Sequence, residues 1–488
     1  MTRYSHQSRT SRWSLLGVAS LCVAGCTSFA PEREVPEIVS AMPEQFERAT
    51  VSGDYAPQKW WTAFNDAELN GLVDRALANN LDIAEAAGRL QQARAQARIT
   101  RSALSPTVSA SGDASQTSSP LDGSAFSDLA GGTINRIENQ AYSVALGASY
   151  EIDLFGRIGN DNRAAQQDAL ASAYDFRTVQ LGAAAETISA YFDMVDTTRQ
   201  IELQSLTAYV LEERTVRSEE RFERGLTESL ELYQLRQELR STQAALPQLE
   251  SALVAAKTRL ALLLGLYPQQ LEQQLGERLQ PRLVFESVPA GLPMDLLEQR
   301  PDVAAAWARL EAARFRIGAR KAERYPQLTL NGSLGTQGGD PLAGLDFVNN
   351  WASSLAASIL APIIDGGRIS ANISSARAVY DQQGAAYART VLTAFGEVES
   401  AIADYDEQRR RYRLITAQLA SARASLDLQR RRFEAGVGEF TAYLDALRTV
   451  YVVEGSLSSS ARDTALARLG VHRALGGDWV PDNTGETP

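Results

Sequence analysis

Phe222-Glu223-Arg224-Gly225-Leu226 returns 211 residues later as Phe433-Glu434-Ala435-Gly436-Val437. Leu264-Gly265 returns as Leu475-Gly476 and Gly156-Arg157 as Gly367-Arg368, at the same spacing. A fixed offset sustained over so many residues marks an internal duplication. Earlier in each copy the offset becomes 220, relating Leu81-Asp82-Ile83 to Pro301-Asp302-Val303 and Pro106 to Pro326. The nine-residue difference falls between Pro106 and Gly156, where length is tolerated as exposed loops tolerate it.

Around the repeated pentapeptide the pattern is helical. Gly225 and Gly436 fit left-handed helix ends, each turning the chain back into a second helix. From Arg157 to Phe222 there is no proline and little glycine, which predicts one helix of about 65 residues, close to 100 Å at 1.5 Å per residue. Leu235, Leu239, Leu246, Leu249, Leu253, Ala256, Leu260 and Leu263 step by threes and fours, with Thr242 filling one slot, a heptad seam for the returning helix 226–264. Pro247 is expected to kink it. In the second copy the seam Phe395, Val398, Ile402, Tyr405, Tyr412, Leu419, Leu426, Phe433 is interrupted by Arg409, Thr416, Arg423 and Arg430, which predicts looser, partly wetted packing. Segment 69–104 reads as helical too, and end to end with 226–264 it would span what the long helix does. Residues from about 265 to 300 and the terminal segments would then collect around the waist.

Each copy also carries period-two sequence. Val108, Ala110, Gly112 and Ala114 alternate with Thr107, Ser109, Ser111 and Asp113. Tyr142, Val144, Leu146, Ala148, Tyr150 and Ile152 do the same, followed in the second copy by Leu328, Leu330, Gly332, Leu334 and by Trp351, Leu355, Ala357, Ile359. One apolar and one polar or small face over about ten residues is what a membrane β-barrel requires, with a sheet half-buried against helices as the lesser alternative. Four strands per chain cannot close a barrel, because known barrels begin at about eight and an open edge in lipid leaves backbone groups unsatisfied. Closure therefore calls for more than one chain; strand counting leaves two copies and three copies open. The loops at about 117–140 and 337–349 would face outward.

The first residues form a leader: Arg3, Arg9 and Arg12 precede a short apolar stretch that ends Val23-Ala24-Gly25-Cys26. Small residues directly before a cysteine resemble a bacterial lipobox, which implies cleavage after residue 25 and thioether lipidation of Cys26. Thr27 in second place lacks the aspartate that commonly retains such lipoproteins at the inner membrane, so the outer membrane is the expected address. Cys22 leaves with the leader, so the mature chain has neither a disulfide framework nor a cysteine metal site. Lys+Arg 48 against Asp+Glu 59 gives −11, and about −14 once the leader arginines are removed, which disfavours nucleic acid. His472, beside a predicted helix end, reads as structural. No nucleophile–base pair, phosphate loop or metal-ligand cluster appears, so no enzyme, cofactor or metal is expected beyond the covalent lipid on Cys26.

Taken in order, Asp153-Leu154-Phe155-Gly156-Arg157 after the second strand, Arg300-Pro301-Asp302-Val303 opening a helix, the paired Phe-x-x-Gly tips and Asp445-Ala446-Leu447-Arg448 resemble the TolC-like outer-membrane factors. The resemblance is to their lipidated type, which serves resistance-nodulation-division efflux systems, and it covers nearly the whole mature chain. It implies a mixed fold, a membrane β-barrel plus a long α-helical barrel, with four strands per protomer and twelve in a homotrimer. It implies an outer-membrane, lipid-anchored duct reaching into the periplasm. Such a duct passively conducts small toxic compounds supplied by an inner-membrane transporter through a periplasmic adaptor. The alternatives are an autonomous porin, a protein-secretion conduit or a purely structural coiled coil.

On this reading residues 1–25 are the signal peptide, and 26–300 the first repeat, with helices 69–104, 157–222 and 226–264 and strands 106–116 and 141–153. Residues 301–476 are the second repeat, with helices 302–324, 368–433 and 440–474 and strands 326–336 and 350–363; 477–488 are a tail. The resemblance also places a periplasmic gate at Asp445, Arg448, Phe433, Phe440 and Thr441. Thr441 there replaces a bulkier apolar residue. It assigns the tip turns at Gly225 and Gly436 to adaptor contact, and Glu228, Glu231 and Glu439 near them read either as adaptor contacts or as solvated faces. The equivalents of Asp445 and Arg448 in the first copy are Gln234 and Gln237, so a charged latch is expected to be one-sided. The competing reading of Asp445 and Arg448 is a surface i,i+3 helix pair.

Overall fold

The computed structural model describes residues 29–47, 59–120, 136–226, 228–272, 293 and 296–477. Cys26, the leader and the tail beyond residue 477 lie outside them. The principal helices are α1 (Ala67–Asn79), α2 (Leu81–Ser102), α3 (Arg157–Glu223), α4 (Ser229–Leu263), α5 (Pro301–Ala322), α6 (Arg368–Glu434) and α7 (Phe440–Ala474). The strands are β1 (Thr107–Pro120), β2 (Arg136–Ile152), β3 (Gln327–Gly338) and β4 (Trp351–Leu360). The duplication is visible in the lengths: α3 and α6 each have 67 residues, α4 and α7 each 35, α2 and α5 each 22.

Segment 69–104 is two helices rather than one. Asn80 stops α1 with an extended backbone (ψ 132°) and starts α2, its Oδ1 accepting from the N–H groups of Asp82 and Ile83. Its Nδ2 donates to the carbonyl of Leu263, the last residue of α4, at 3.1 Å. An asparagine inside an apolar pattern leaves helical periodicity unbroken on both sides, so the pattern alone does not register this stop. Pro247 lies inside α4 without ending it. Near the carbonyl of Gln243, which the proline leaves without its helical donor, Thr242 O accepts from Gln204 Nε2 at 3.1 Å.

By contacts the chain divides into two compact units, one of residues 1–34, 92–170 and 308–385, the other of 35–91, 171–307 and 386–488. Both repeats contribute to both units, so the repeat boundary at 300 is not a boundary of packing.

In the first unit the strands form one antiparallel sheet in the order β1-β2-β3-β4. β1 and β2 run on to Pro120 and Arg136, into the stretch expected to be loop. Register decides the faces. Val108, Ala148 and Gly332 lie side by side with Leu355; Ala110, Leu146 and Leu334 form the next row; Tyr150, Leu330 and Ala357, then Ile152, Leu328 and Ile359, complete it. The opposite face carries Ser109, Gly147 and Ser333 with Ser354, and Ser149 with Asn331, whose side chains hydrogen-bond at 2.9 Å. The apolar face is uncovered: Leu355 is 86% and Ile359 72% exposed.

The second unit contains an apolar core. Trp60, Phe64, Leu69, Leu72, Val73, Ile188, Tyr191, Phe192, Leu260 and Leu264 pack together there. Asp66 caps α1 and takes a 2.7 Å bond from the buried Tyr191 hydroxyl. Here the duplication is repeated contact by contact. Asn80 donates to Leu263 O, and its counterpart Arg300 donates to Ala474 O at 2.9 Å. Gly265 (φ 68°) lies so close to Asn79 that a Cβ would come 2.7 Å from its carbonyl oxygen; Gly476 (φ 92°) lies the same way against Gln299, at 2.8 Å. Both Leu-Gly pairs are therefore close-approach positions. His472 is buried, stacked on Trp60 at 5.5 Å, and burial, reinforced by Arg468, pulls its pKa down to about 3.

Candidate functional site at the helix tips

Both helix pairs turn on a glycine, as chain reversal through a left-handed residue requires. Gly225 (φ 73°) closes α3, with Leu226 N donating to Arg221 O at 2.8 Å; Gly436 (φ 72°) closes α6, with Val437 N donating to Arg432 O at 3.0 Å. The second turn has a further constraint that the first lacks. A Cβ on Gly438 would meet Arg432 Cβ at 2.8 Å and Phe433 N at 2.9 Å, whereas the first copy has Thr227 at that place in the sequence. Glu228 and Glu439 occupy the N-cap positions of α4 and α7, yet neither side chain caps its helix. Glu439 instead accepts from the Thr441 hydroxyl at 3.3 Å. Glu228 is exposed, and Glu231 sits half-buried in the first turn of α4.

The gate candidates of the second copy come together in part. Phe433, Phe440 and Tyr443 form an aromatic cluster with centroids 5.1 to 6.1 Å apart. Tyr443 was not among the expected residues; it lies one turn from Phe440, and the i,i+3 spacing of the two rings was its signal. Thr441 takes no part in the cluster.

Asp445 and Arg448 do not pair with each other. Asp445 pairs with Arg214 of α3, and Arg448 with Glu238 of α4. Arg217, one turn beyond Arg214, lies over the Phe440 ring at 4.0 Å. Gln234 and Gln237, the positions equivalent by offset, are uncharged and implied a one-sided latch, yet both charges of the second copy are answered by charges of the first. The actual partners are inequivalent, because a contact between the two copies joins different positions of each. Arg214, Arg217 and Glu238 thus belong to the site, and their types on the facing helices were the only sign of it.

Above the tip α7 packs against both long helices. Toward α6, Val450 and Val453 meet Leu419. Toward α3, Gln200 Nε2 donates to Gly455 O at 2.8 Å and Ser458 donates to the buried Asp196 at 2.6 Å. Between them Glu454 is held by Arg199 at 2.9 Å and Arg423 at 2.8 Å, so one of the arginines that interrupts the apolar seam of α6 has its own acid. Arg462 reaches Asp196 at 3.3 Å, and burial pushes the neighbouring Asp193 carboxyl above its usual range.

The contacts that join the two helix pairs are individually weak. Ion pairs this exposed contribute up to about 1 kcal/mol each, and a cation over an aromatic ring about 0.5–2 kcal/mol. Together they hold the two helix pairs to each other by about a few kcal/mol at most. Among the described residues no group of His, Cys, Asp or Glu is placed to hold a metal ion, and no helix is long and apolar enough to cross a membrane.

Comparison with known proteins adds the family. The model of the outer membrane efflux protein family matches residues 72–266 and 292–477. Outer membrane protein OprJ of Pseudomonas aeruginosa is 33% identical over 95% of this chain and 96% of its own. The toluene efflux pump outer membrane protein TtgC of Pseudomonas putida is 30% identical over 96% of each. Among solved structures, the open state of the Neisseria gonorrhoeae MtrE outer membrane channel superposes with a TM-score of 0.79 at 28% identity, over 93% of this chain and 98% of that one. With the duplicated helix pairs, the two-faced sheet and matches over nearly the full length, the chain belongs to the outer membrane efflux protein family.

Proposed function

We propose that three copies of this chain close a twelve-stranded barrel in the outer membrane and a helical barrel below it, and that the tips of α3/α4 and α6/α7 form the gate. Membership of the family makes the chain the outer-membrane exit duct of an efflux system. The observation that carries closure between copies is the sheet: its apolar face is uncovered, and among the described residues β1 and β4 each pair on one side only, while the number three is what the family resemblance implies. Exposed in lipid, those edges would leave backbone groups unsatisfied at several kcal/mol each, so β4 of one copy pairs with β1 of the next. Acyl chains on Cys26 anchor the first residues in the same membrane.

The gate reading rests on Arg214–Asp445, Glu238–Arg448 and Arg217 over Phe440, which tie the first helix pair to the second within a chain. Glu228, Glu231 and Glu439 at the tips offer acidic contacts to a periplasmic adaptor, which passes cargo from an inner-membrane transporter and shifts the tips toward the open arrangement. Cargo choice lies upstream, since the relatives include a toluene efflux protein and a cation efflux protein in the same fold.

Deletion followed by growth across toxic compounds tests this. Resistance is expected to return only when the protein is restored together with its adaptor and transporter. Restored small-solute permeability without either partner would support the porin reading instead.

A further inference from the structure

α2 and α5 are counterparts at the offset of 220, and each leads into the sheet, α2 into β1 and α5 into β3. On α5 one helix face is covered by the first described residues of the chain. Arg314 Nη1 donates to Pro31 O at 2.9 Å, and a Cβ on Gly318 would come 2.7 Å from Ala30 N. The corresponding positions on α2 are Arg94 and Arg98, and Lys321, next along the same face, corresponds to Arg101. The chain has one N-terminal segment but two such helices, so that segment leaves the face of α2 bare.

Arg94, Arg98 and Arg101 stand at i, i+4 and i+7, a single row about 10 Å long at 1.5 Å per residue. All three are exposed, and among the described residues none meets an acid. Between Glu85 and Asp113 the sequence has no carboxylate, and Glu85 is held by Arg89. The acids at the start of α3 are engaged as well, Asp161 with Arg320 and Asp168 with Arg316. Complementing the dipole at the end of α2 is an effect of the last turn, so it leaves Arg94 unexplained. Beyond Arg101 the exposed side chains turn apolar, with Leu104 and then Val108 at the foot of β1.

We propose that this arginine row is a binding site for anionic phospholipid, taking the phosphate of a phosphatidylglycerol-type headgroup in the leaflet that faces the periplasm. The proposal rests on the reading of the sheet as a membrane barrel with its anchor at Cys26. On that reading the segment over α5 leads to lipid, so the face that α2 and α5 share looks outward and not into the duct. With β1 in hydrocarbon, the end of α2 enters the headgroup layer, about 5–8 Å deep on each side of the core. Arg101, six residues before Thr107, meets that layer first. Arg98 follows one turn below, and Arg94 reaches up from the lower edge with its stem along the helix. The guanidinium fork matches phosphate oxygens in two parallel hydrogen bonds.

The test uses spin-labelled lipids with full-length protein reconstituted in phosphatidylcholine. A motionally restricted lipid component marks a protein surface in the bilayer. Labelled phosphatidylglycerol is expected to enter it at least about threefold more readily than labelled phosphatidylcholine. Arg94→Gln, Arg98→Gln and Arg101→Gln together are expected to remove that preference while leaving the restricted phosphatidylcholine unchanged, since glutamine suits a helix about as well as arginine. Lysine at the same positions is expected to keep most of the preference, and Arg101→Gln alone to lower it more than Arg94→Gln alone. Salt at 1 M, where the screening length is about 3 Å, is expected to weaken it. Inorganic phosphate at matched ionic strength is expected not to displace the labelled lipid; displacement would make this a site for the free anion and overturn the proposal. Equal uptake of both lipids into a restricted component, or a preference that the triple change leaves intact, overturns the proposal while the barrel stands. Absence of any restricted component removes the barrel reading, and the proposal with it.

Discussion

Arg214 on α3 forms an ion pair with Asp445 on α7, joining the long helix of the first repeat to the tip helix of the second. Arg448 reaches back to Glu238 in the same way, so each charge of the second tip is answered by the first. If these pairs close the tips, each single reversal, Arg214→Asp or Asp445→Arg, leaves two like charges facing. Cells carrying either are expected to take up a large antibiotic that the outer membrane otherwise excludes, and the double swap to take up less than either single variant. Equal uptake by all four proteins would show that the pair is a surface contact.

The turns make a second expectation. Gly436→Ala forces a side chain into the left-handed region at about 1 kcal/mol, and Gly225→Ala does the same in the first turn. Gly438→Ala carries no left-handed penalty, but its Cβ would come 2.8 Å from Arg432 Cβ and 2.9 Å from the Phe433 backbone nitrogen, so it too is expected to lower the thermal midpoint. A midpoint unchanged by Gly438→Ala would mean the tighter second turn relaxes without strain.

Asn80 holds two elements at once. Asn80→Ala removes a helix cap and the donor to Leu263 O, with an expected loss of about 1–3 kcal/mol. Asn80→Asp keeps the cap oxygen and loses the donor, so chemical denaturation should place it between the two. A variant as stable as the native protein would rule out the inter-helix bond as a contributor.

His472 is held neutral, its pKa depressed from 6.5 to about 3 by burial and Arg468. Because the unfolded chain takes up a proton that the folded one refuses, its contribution is complete above pH 6.5 and is lost as pH falls toward about 3. The loss approaches about 1.4 kcal/mol for each pH unit in that window. His472→Phe keeps the stacking on Trp60 and is expected to flatten the decline in thermal midpoint between pH 6.5 and pH 4.5. An identical decline in both proteins would place the acid sensitivity elsewhere.

How much of this was legible in the sequence follows from the range of each interaction. Gly225 and Gly436 were readable because a helix end is local chemistry, and the two-faced strands because alternation is local as well. The stop at Asn80 was not, since the bond that fixes it comes from Leu263, 183 residues away. The arginine in the α6 seam at residue 423 read as a flaw, yet it meets Glu454 of α7. At the tip the residue types Asp445 and Arg448 were legible but their partners were not. Offset symmetry makes Gln234 the equivalent of Asp445, whereas packing of one copy against the other makes Arg214 its partner.

We propose that the duct rests closed and opens at these tips. Single-channel recording of the purified protein in planar bilayers tests it most directly. The native protein is expected to stay mostly in a low-conductance state, and Asp445→Ala combined with Arg448→Ala to raise both conductance and opening frequency. A native protein that is already fully conducting, or a double variant indistinguishable from it, would contradict the account.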